Sequence, residues 1–209
     1  MIGKEAKHIA PIINDFSIQK NQTVVSILNF VKNKLPQFAE EFKQAESGLY
    51  KEDDITQELL SFFDDHARSE NFLFRFHEKK GIDITILASP HQIASKPIFM
   101  IEAKRLEKTH YDYVNIPNGG IERLKREQEG FDYNLNQAAI LGYIQDHDKS
   151  YWFSKINKWI DANIEKETDI VWSKQDKLTS NEPVSDYFSK HDRVSLDPIT
   201  LYHFWINLN

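Results

Sequence analysis

The sequence predicts an α/β fold, a β-sheet flanked by helices, and three observations carry that expectation. Amphipathic stretches with helical spacing run from Val24 to Phe42 and from Trp152 to Ile164. Short apolar segments suited to strands lie between them, at 72–76, 81–87 and 98–106. Two of these carry charge where a buried strand should carry none: Asp83 in GIDITIL, and Glu102 and Lys104 in IFMIEAK. Side chains alternate faces along a strand, so Glu102 and Lys104 share one face while Ile101 and Ala103 take the other. Ionisable groups in such places are costly unless they meet one another or a cation. Residues 74–106 are therefore the first place to look for chemistry.

Taken in order, Val24, Val25, Leu28, Val31, Leu35, Phe38 and Phe42 mark a helix that Pro36 is expected to bend or split. A second helix is expected to start at Asp54, capped by that residue with Gln57 three positions on, and to present Ile55, Leu59, Phe62 and Phe63 as its apolar stripe. Phe72, Phe74 and Phe76 alternate as a strand, and Lys79-Lys80-Gly81 reads as a hairpin turn into the Asp83 segment. Residues 89–96 form a polar loop, and Pro97 opens the strand that ends in EAKRL. Pro117-Asn118-Gly119-Gly120 is a loop, followed by a short helix over Ile121–Glu129. Leu135, Ala138, Ala139 and Gly142 predict a helix over 134–145 with a small-residue face. Trp152, Ile156, Trp159, Ile160 and Ile164 mark another helix, 169–173 a strand, and 174–198 a loop-rich stretch. The closing apolar segment at 200–208 fits either a strand or a short helix.

No repeat, low-complexity tract or linker divides the 209 residues, so one domain is expected. Within it, 1–47 is a helical N-terminal region, 54–146 a core, and 147–209 a set of C-terminal helix and strand additions. A hydrophobic content of 40% with 28% charged residues is ordinary for a globular chain. No apolar run approaches the ~20 residues needed to span a bilayer. The first residues lack the apolar core of a signal peptide, and cysteine is absent, which excludes a disulfide framework and thiolate chemistry. A cytoplasmic protein without membrane association is the expectation. The net charge of -6 argues against a protein that coats nucleic acid through charge alone, but carboxylates that hold a metal contribute to that balance.

If the faces of the two charged segments coincide, Asp83 and Glu102 converge. Two like charges ~4 Å apart repel by about 4 kcal/mol at an effective dielectric near 20. Lys104 offsets part of that repulsion, and a hard divalent cation such as Mg2+ is the other candidate.

Asp83 on one strand, then Glu102-Ala103-Lys104 on the next, resembles the signature of the PD-(D/E)XK nuclease superfamily, with Ile82-Asp83 where the motif has Pro-Asp. The order of a glutamate-bearing helix, strands with Asp and then Glu-x-Lys, and a helix resembles the family too. The likeness covers about residues 54–146. It implies a restriction-endonuclease-like fold, a central mixed β-sheet flanked by helices. By residue it implies Asp83 and Glu102 as metal ligands with the Ala103 carbonyl beside them, Lys104 as the catalytic lysine, and Glu58 as the first-helix glutamate that joins the metal. Gln137 and Tyr143 resemble, more loosely, accessory residues that some members bring near the site. Mg2+, replaceable by Mn2+, is the implied cofactor, and hydrolysis of DNA phosphodiester bonds the implied activity. The segments 118–130 and 189–205 resemble those of uncharacterised bacterial members. That likeness implies a setting in restriction or phage defence, as a homodimer or as a partner subunit of a defence complex.

Arg105, Arg123, Lys125 and Arg126 are candidates for phosphate contact, set against a solvated helix face balanced by Glu122, Glu127 and Glu129. His77 and His110 flank the site as candidate proton carriers. No phosphate-cradling glycine loop, dinucleotide turn or nucleophile elbow is present. The reading set against an enzyme is a non-catalytic nucleic-acid-binding or protein-interaction module on the same fold.

Overall fold

Parallel strands buried on both faces are near-continuous apolar runs, and the chain has one at Ala138–Ile144. In the computed structural model this run is a strand at the middle of a seven-stranded mixed sheet. The structure describes residues 13–45, 51–68, 70, 72–76, 82–87, 96–107, 111–115, 119–128, 134–166, 168–180 and 184–209. The expected turn at 79–81, the loop at 89–95, and His77 and His110 lie outside these residues.

The elements are α1 (Ile13–Ala45), α2 (Glu52–His66), β1 (Leu73–Phe76), β2 (Ile84–Leu87), β3 (Phe99–Leu106), α3 (Gly120–Lys125), β4 (Gln137–Ile144), α4 (Lys149–Ile164), β5 (Thr179–Ser180), β6 (Tyr187–His191) and β7 (Ile199–Asn207). The sheet order is β1-β2-β3-β4-β7-β6-β5. β1, β2 and β3 form an antiparallel meander, and β3, β4 and β7 run parallel. β6 and β5 extend β7 with antiparallel pairing.

Two apolar layers cover the sheet. On one face, Val24, Leu28, Val31, Leu35, Phe38 and Phe42 of α1 and Ile55, Leu59 and Phe63 of α2 pack on Ile84, Ile86, Phe99, Ile101 and Ala103. Phe30, Phe63, Phe72 and Phe74 interlock there with ring centroids 4.8–5.7 Å apart. On the other face, Ile121 and Leu124 of α3 and Trp152, Ile156 and Ile160 of α4 pack on Met100, Leu106, Ile140 and Trp205. Alternation along β3 thus sends Glu102 and Lys104, which share parity with Met100 and Leu106, to the α3 face.

Several expectations need correction. The helix expected over 134–145 is β4, because a run of apolar residues only eight long carries no period that separates helix from strand. Asp169–Ser173 is irregular chain: Ile170 and Trp172 are buried and Val171 exposed, but among the described residues the segment joins no ladder. The stretch 174–198 holds β5 and β6, the latter hidden by its polar residues. α1 runs through Pro36 without a break, with the proline on its exposed side. α2 starts at Glu52, so Asp53 and Asp54 lie within its first turn, where carboxylates favour the positive end of the helix dipole. Among the described residues no helix is long and apolar enough to cross a membrane.

Candidate active site

The site forms where β2 and β3 part. Their ladder ends at the pair Ile84–Ile101, one residue short of Asp83 and Glu102. Beyond it, β3 still presents the N–H groups of alternate residues toward the missing neighbour, and buried backbone donors require partners. Two carboxylates supply them. Ala103 N–H donates to Asp83 Oδ2 (2.7 Å), and Arg105 N–H donates to Glu52 Oε2 (2.8 Å). The charged groups therefore complete the edge of β3 in place of a strand.

On the α3 face of β3, Lys104 Nζ lies 2.9 Å from Glu102 Oε1 and 3.3 Å from Glu52 Oε1. Arg123 Nη1 of α3 lies 2.9 Å from the same Glu102 oxygen. Glu102 is 2% exposed and Lys104 6%. Glu102 Oε2, buried with its partner oxygen, accepts no hydrogen bond. Gly120 packs beside this arrangement: a Cβ there would be tight against Ile140 Cδ1, at 3.3 Å, and in ordinary contact with Glu102 Cγ, at 3.6 Å.

Three carboxylates thus face two cations, and the shortfall falls on Asp83. Burial, then the neighbouring Glu102, pushes its carboxyl up to about 7, against the smaller help of Lys104 and the Ala103 N–H. Burial also raises Glu52, with Lys104 opposing. Burial alone would favour neutral Lys104, but Glu102, Glu52 and Asp83 outweigh it and hold the amine above its ordinary value. Lys104 is accordingly an ammonium at neutral pH. It can neutralise and orient, and it is not a resting general base.

Hard divalent cations take carboxylate oxygens and keep several waters. The orphaned Glu102 Oε2 and the under-compensated Asp83 suit such an ion. Among the described residues no three His, Asp or Glu side chains converge as a ready-made metal cluster. The donor set therefore fits a cation held by two carboxylates, with water and substrate completing the shell.

The structure brings Asp83, Glu102, Lys104 and Arg123 together, and it adds Glu52, which the sequence reading missed. Glu58, expected in that role, is exposed on α2, six residues and about 9 Å of helix rise away. The helix start was legible from Asp54 and Gln57, and Glu52, just ahead of them, carried no separate signal. Tyr143 and Gln137 lie on β4, not on a helix. Tyr143 is buried on the α2 face, its hydroxyl 2.9 Å from Thr56 Oγ1. Thr56 donates its own proton to the Glu52 carbonyl (2.7 Å), so Tyr143 is the donor and braces the turn that carries Glu52. Gln137, opposite Thr200 at the far end of β4, accepts from Tyr202 Oη at 3.3 Å and stands apart from the site.

Of the other basic candidates, Arg105 sits at the margin with Nη1 3.2 Å from Glu107. Arg126 is committed to Asp169 (2.5 and 2.6 Å) and to Glu122 (2.7 Å). Lys125 is a correction: at 1% exposure it cannot reach a phosphate. It is buried because it ends a polar chain through the second core. Asp176 Oδ1 accepts from Lys125 Nζ (2.5 Å) and from His191 Nδ1 (2.6 Å). Ser189 Oγ bridges His191 Nε2 (2.6 Å) and His203 Nε2 (2.8 Å). Tyr113 Oη then joins His203 Nδ1 (2.7 Å) to Trp205 Nε1 (2.8 Å).

A carboxylate only accepts and an indole only donates, so every proton in that chain has one place. Trp205 donates to Tyr113, Tyr113 to His203 Nδ1, and His203 Nε2–H to Ser189. Ser189 donates to His191 Nε2, and His191 Nδ1–H to Asp176. Burial lowers both histidines and keeps them neutral, in opposite tautomers.

No family model matches the chain, and comparisons with curated proteins and with solved structures give no significant match.

Proposed function

We propose that this chain is a divalent-cation-dependent phosphodiesterase acting on DNA, with a restriction-endonuclease-like core of the PD-(D/E)XK kind. The observation that carries the reading is the fork between β2 and β3, where Asp83, Glu102 and Lys104 meet with one carboxylate oxygen orphaned. The order α2, β1, β2, β3, α3, β4, with β3 and β4 parallel, supports it, since a carboxylate-bearing helix precedes the strands with Asp and Glu-x-Lys.

In this reading Asp83 and Glu102 hold Mg2+ or Mn2+. When bound, the cation polarises a phosphoryl oxygen and lowers the pKa of a water. The chain's own residues supply the rest. Lys104, kept as an ammonium, places positive charge where the phosphoryl oxygens gain negative charge. Glu52 fixes that ammonium from the α2 side, and Tyr143 with Thr56 fixes Glu52. The N–H of Ala103 holds Asp83 in place before any cation arrives.

Plasmid and linear DNA incubated with Mg2+ or Mn2+ test the proposal. Cleavage by the unmodified chain, reduced at least a hundredfold in Lys104→Ala, is the expected result. Equal activity in both, or none in either across several substrates, contradicts it. A second reading, a non-catalytic binding module on this fold, is favoured by one observation: Glu102 Oε1 already has two cationic partners. A module without a metal site would bind Mn2+ no better than its Asp83→Ala form.

A further inference from the structure

Two cations sit on one oxygen of Glu102 while its other oxygen has none, and the two differ in how they are held. Lys104 is fixed: its side chain is 8% exposed, it rises from the same strand, and it also meets Glu52. Arg123 comes from a different element, and its side chain is 23% exposed. The helix beneath Arg123 is held independently of that ion pair. Two residues on, Lys125 is locked to Asp176, and Arg123 N–H donates to the Gly119 carbonyl (3.1 Å). Loss of the Arg123–Glu102 pair would therefore leave α3 held in place.

We propose that Arg123 is an exchangeable counter-ion of this site: it occupies Glu102 in the cation-free protein and gives way when a divalent cation takes that carboxylate. It then turns to the phosphate of the bound DNA strand. The inference rests on the cation-dependent reading above and deepens it. The charge balance motivates the exchange, because a divalent ion on the orphaned Glu102 oxygen repels a guanidinium held on the other oxygen of the same carboxylate. The chemistry of the head group fits the second partner, since guanidinium presents paired N–H donors that match phosphate oxygens. The exchange couples the two ligands: cation binding releases the residue that then grips the substrate.

The coupling has opposite signs for the two ligands, which separates it from a bracing role. Arg123→Met and Arg123→Gln, each first shown by circular dichroism to be folded, are titrated with Mn2+ by calorimetry at about pH 8. They are then titrated, with Mn2+ present, against a fluorescein-labelled phosphorothioate DNA duplex by polarisation. The expected result is a Kd for Mn2+ lowered roughly fivefold, because a competing cation is gone, and a Kd for the duplex raised roughly tenfold. Weaker or unchanged Mn2+ binding in both variants, or unchanged duplex binding, overturns the exchange while leaving the cation-dependent reading intact. No Mn2+ binding by the unmodified chain overturns that reading and the exchange with it.

Discussion

Asp83 is the residue where the fold's costs concentrate. A carboxyl pushed to about 7 keeps in the folded state a proton that the unfolded chain, near 3.8, has released. Between about pH 4 and pH 7 the folded state thus binds more protons, and stability falls as pH rises through that window. The loss reaches about 4 kcal/mol above pH 7, and the divalent cation of the proposed function would offset it. Chemical denaturation of the cation-free protein from pH 4 to pH 8 should show this decline, and Asp83→Asn should flatten it; parallel profiles would refute the assignment. Two glutamates of α2 are expected to differ. Glu52→Gln loses its charge toward Lys104 and should lower cleavage at least tenfold, whereas Glu58→Gln, on the exposed side, should stay within about twofold. Cleavage more sensitive to Glu58→Gln than to Glu52→Gln would exchange the roles of the two glutamates. Gly142 faces Lys104 in the β3–β4 register, and a Cβ there would lie 2.5 Å from Trp205 Cδ1. Gly142→Ala should therefore cost about 1–3 kcal/mol in thermal unfolding.

At the level of elements, the buried chain from Lys125 to Trp205 ties α3 to β6 and β7. Removing one partner from a buried pair leaves an uncompensated charge, so Asp176→Asn is expected to destabilise by roughly 3–5 kcal/mol. Nitrogen chemical shifts should report a proton on Nδ1 of His191 and on Nε2 of His203, and the reverse pattern would refute the proton order. The same elements show what a sequence can convey. The helices were legible in outline: α1, α2 and α4 span the segments where apolar residues recur at i, i+3 and i+4, although α1 and α2 begin ahead of those patterns, and the same spacing at Leu135, Ala138, Ala139 and Gly142 belongs to a strand. The strands with charges were legible through the cost of burying Asp83, Glu102 and Lys104. β4 was not, since burial on both faces erases alternation, and β6 was not, since Ser189 and His191 look like loop residues until their partners are known. Glu52 stayed hidden for another reason: its partners are 52 and 53 residues away, and nothing local distinguishes it from a helix-start acid.

Across the whole molecule, the C-terminal segment has a different standing from the one its position suggests. β7 is central: it pairs with β4 over eight residues, from Gln137–Thr200 to Ile144–Asn207. The site-bearing strands and the last strand are one sheet, so residues 54–146 do not form a self-sufficient core. A chain ending at 198 would expose the edge of β4, and the apolar residues Leu201, Phe204 and Trp205 would no longer cover the two layers. It is predicted to be insoluble or unfolded, and a soluble, cooperatively melting fragment would contradict the topology.

The fork between β2 and β3 is, in the proposal made above, built to receive a divalent cation. A crystal soaked in Mn2+ tests that most directly, through anomalous density. The predicted result is a peak held by Asp83 and by the Glu102 oxygen that now lacks a partner, with Arg123 withdrawn from Glu102. No peak at the fork at saturating Mn2+, with Lys104 and Arg123 still on Glu102, would contradict it.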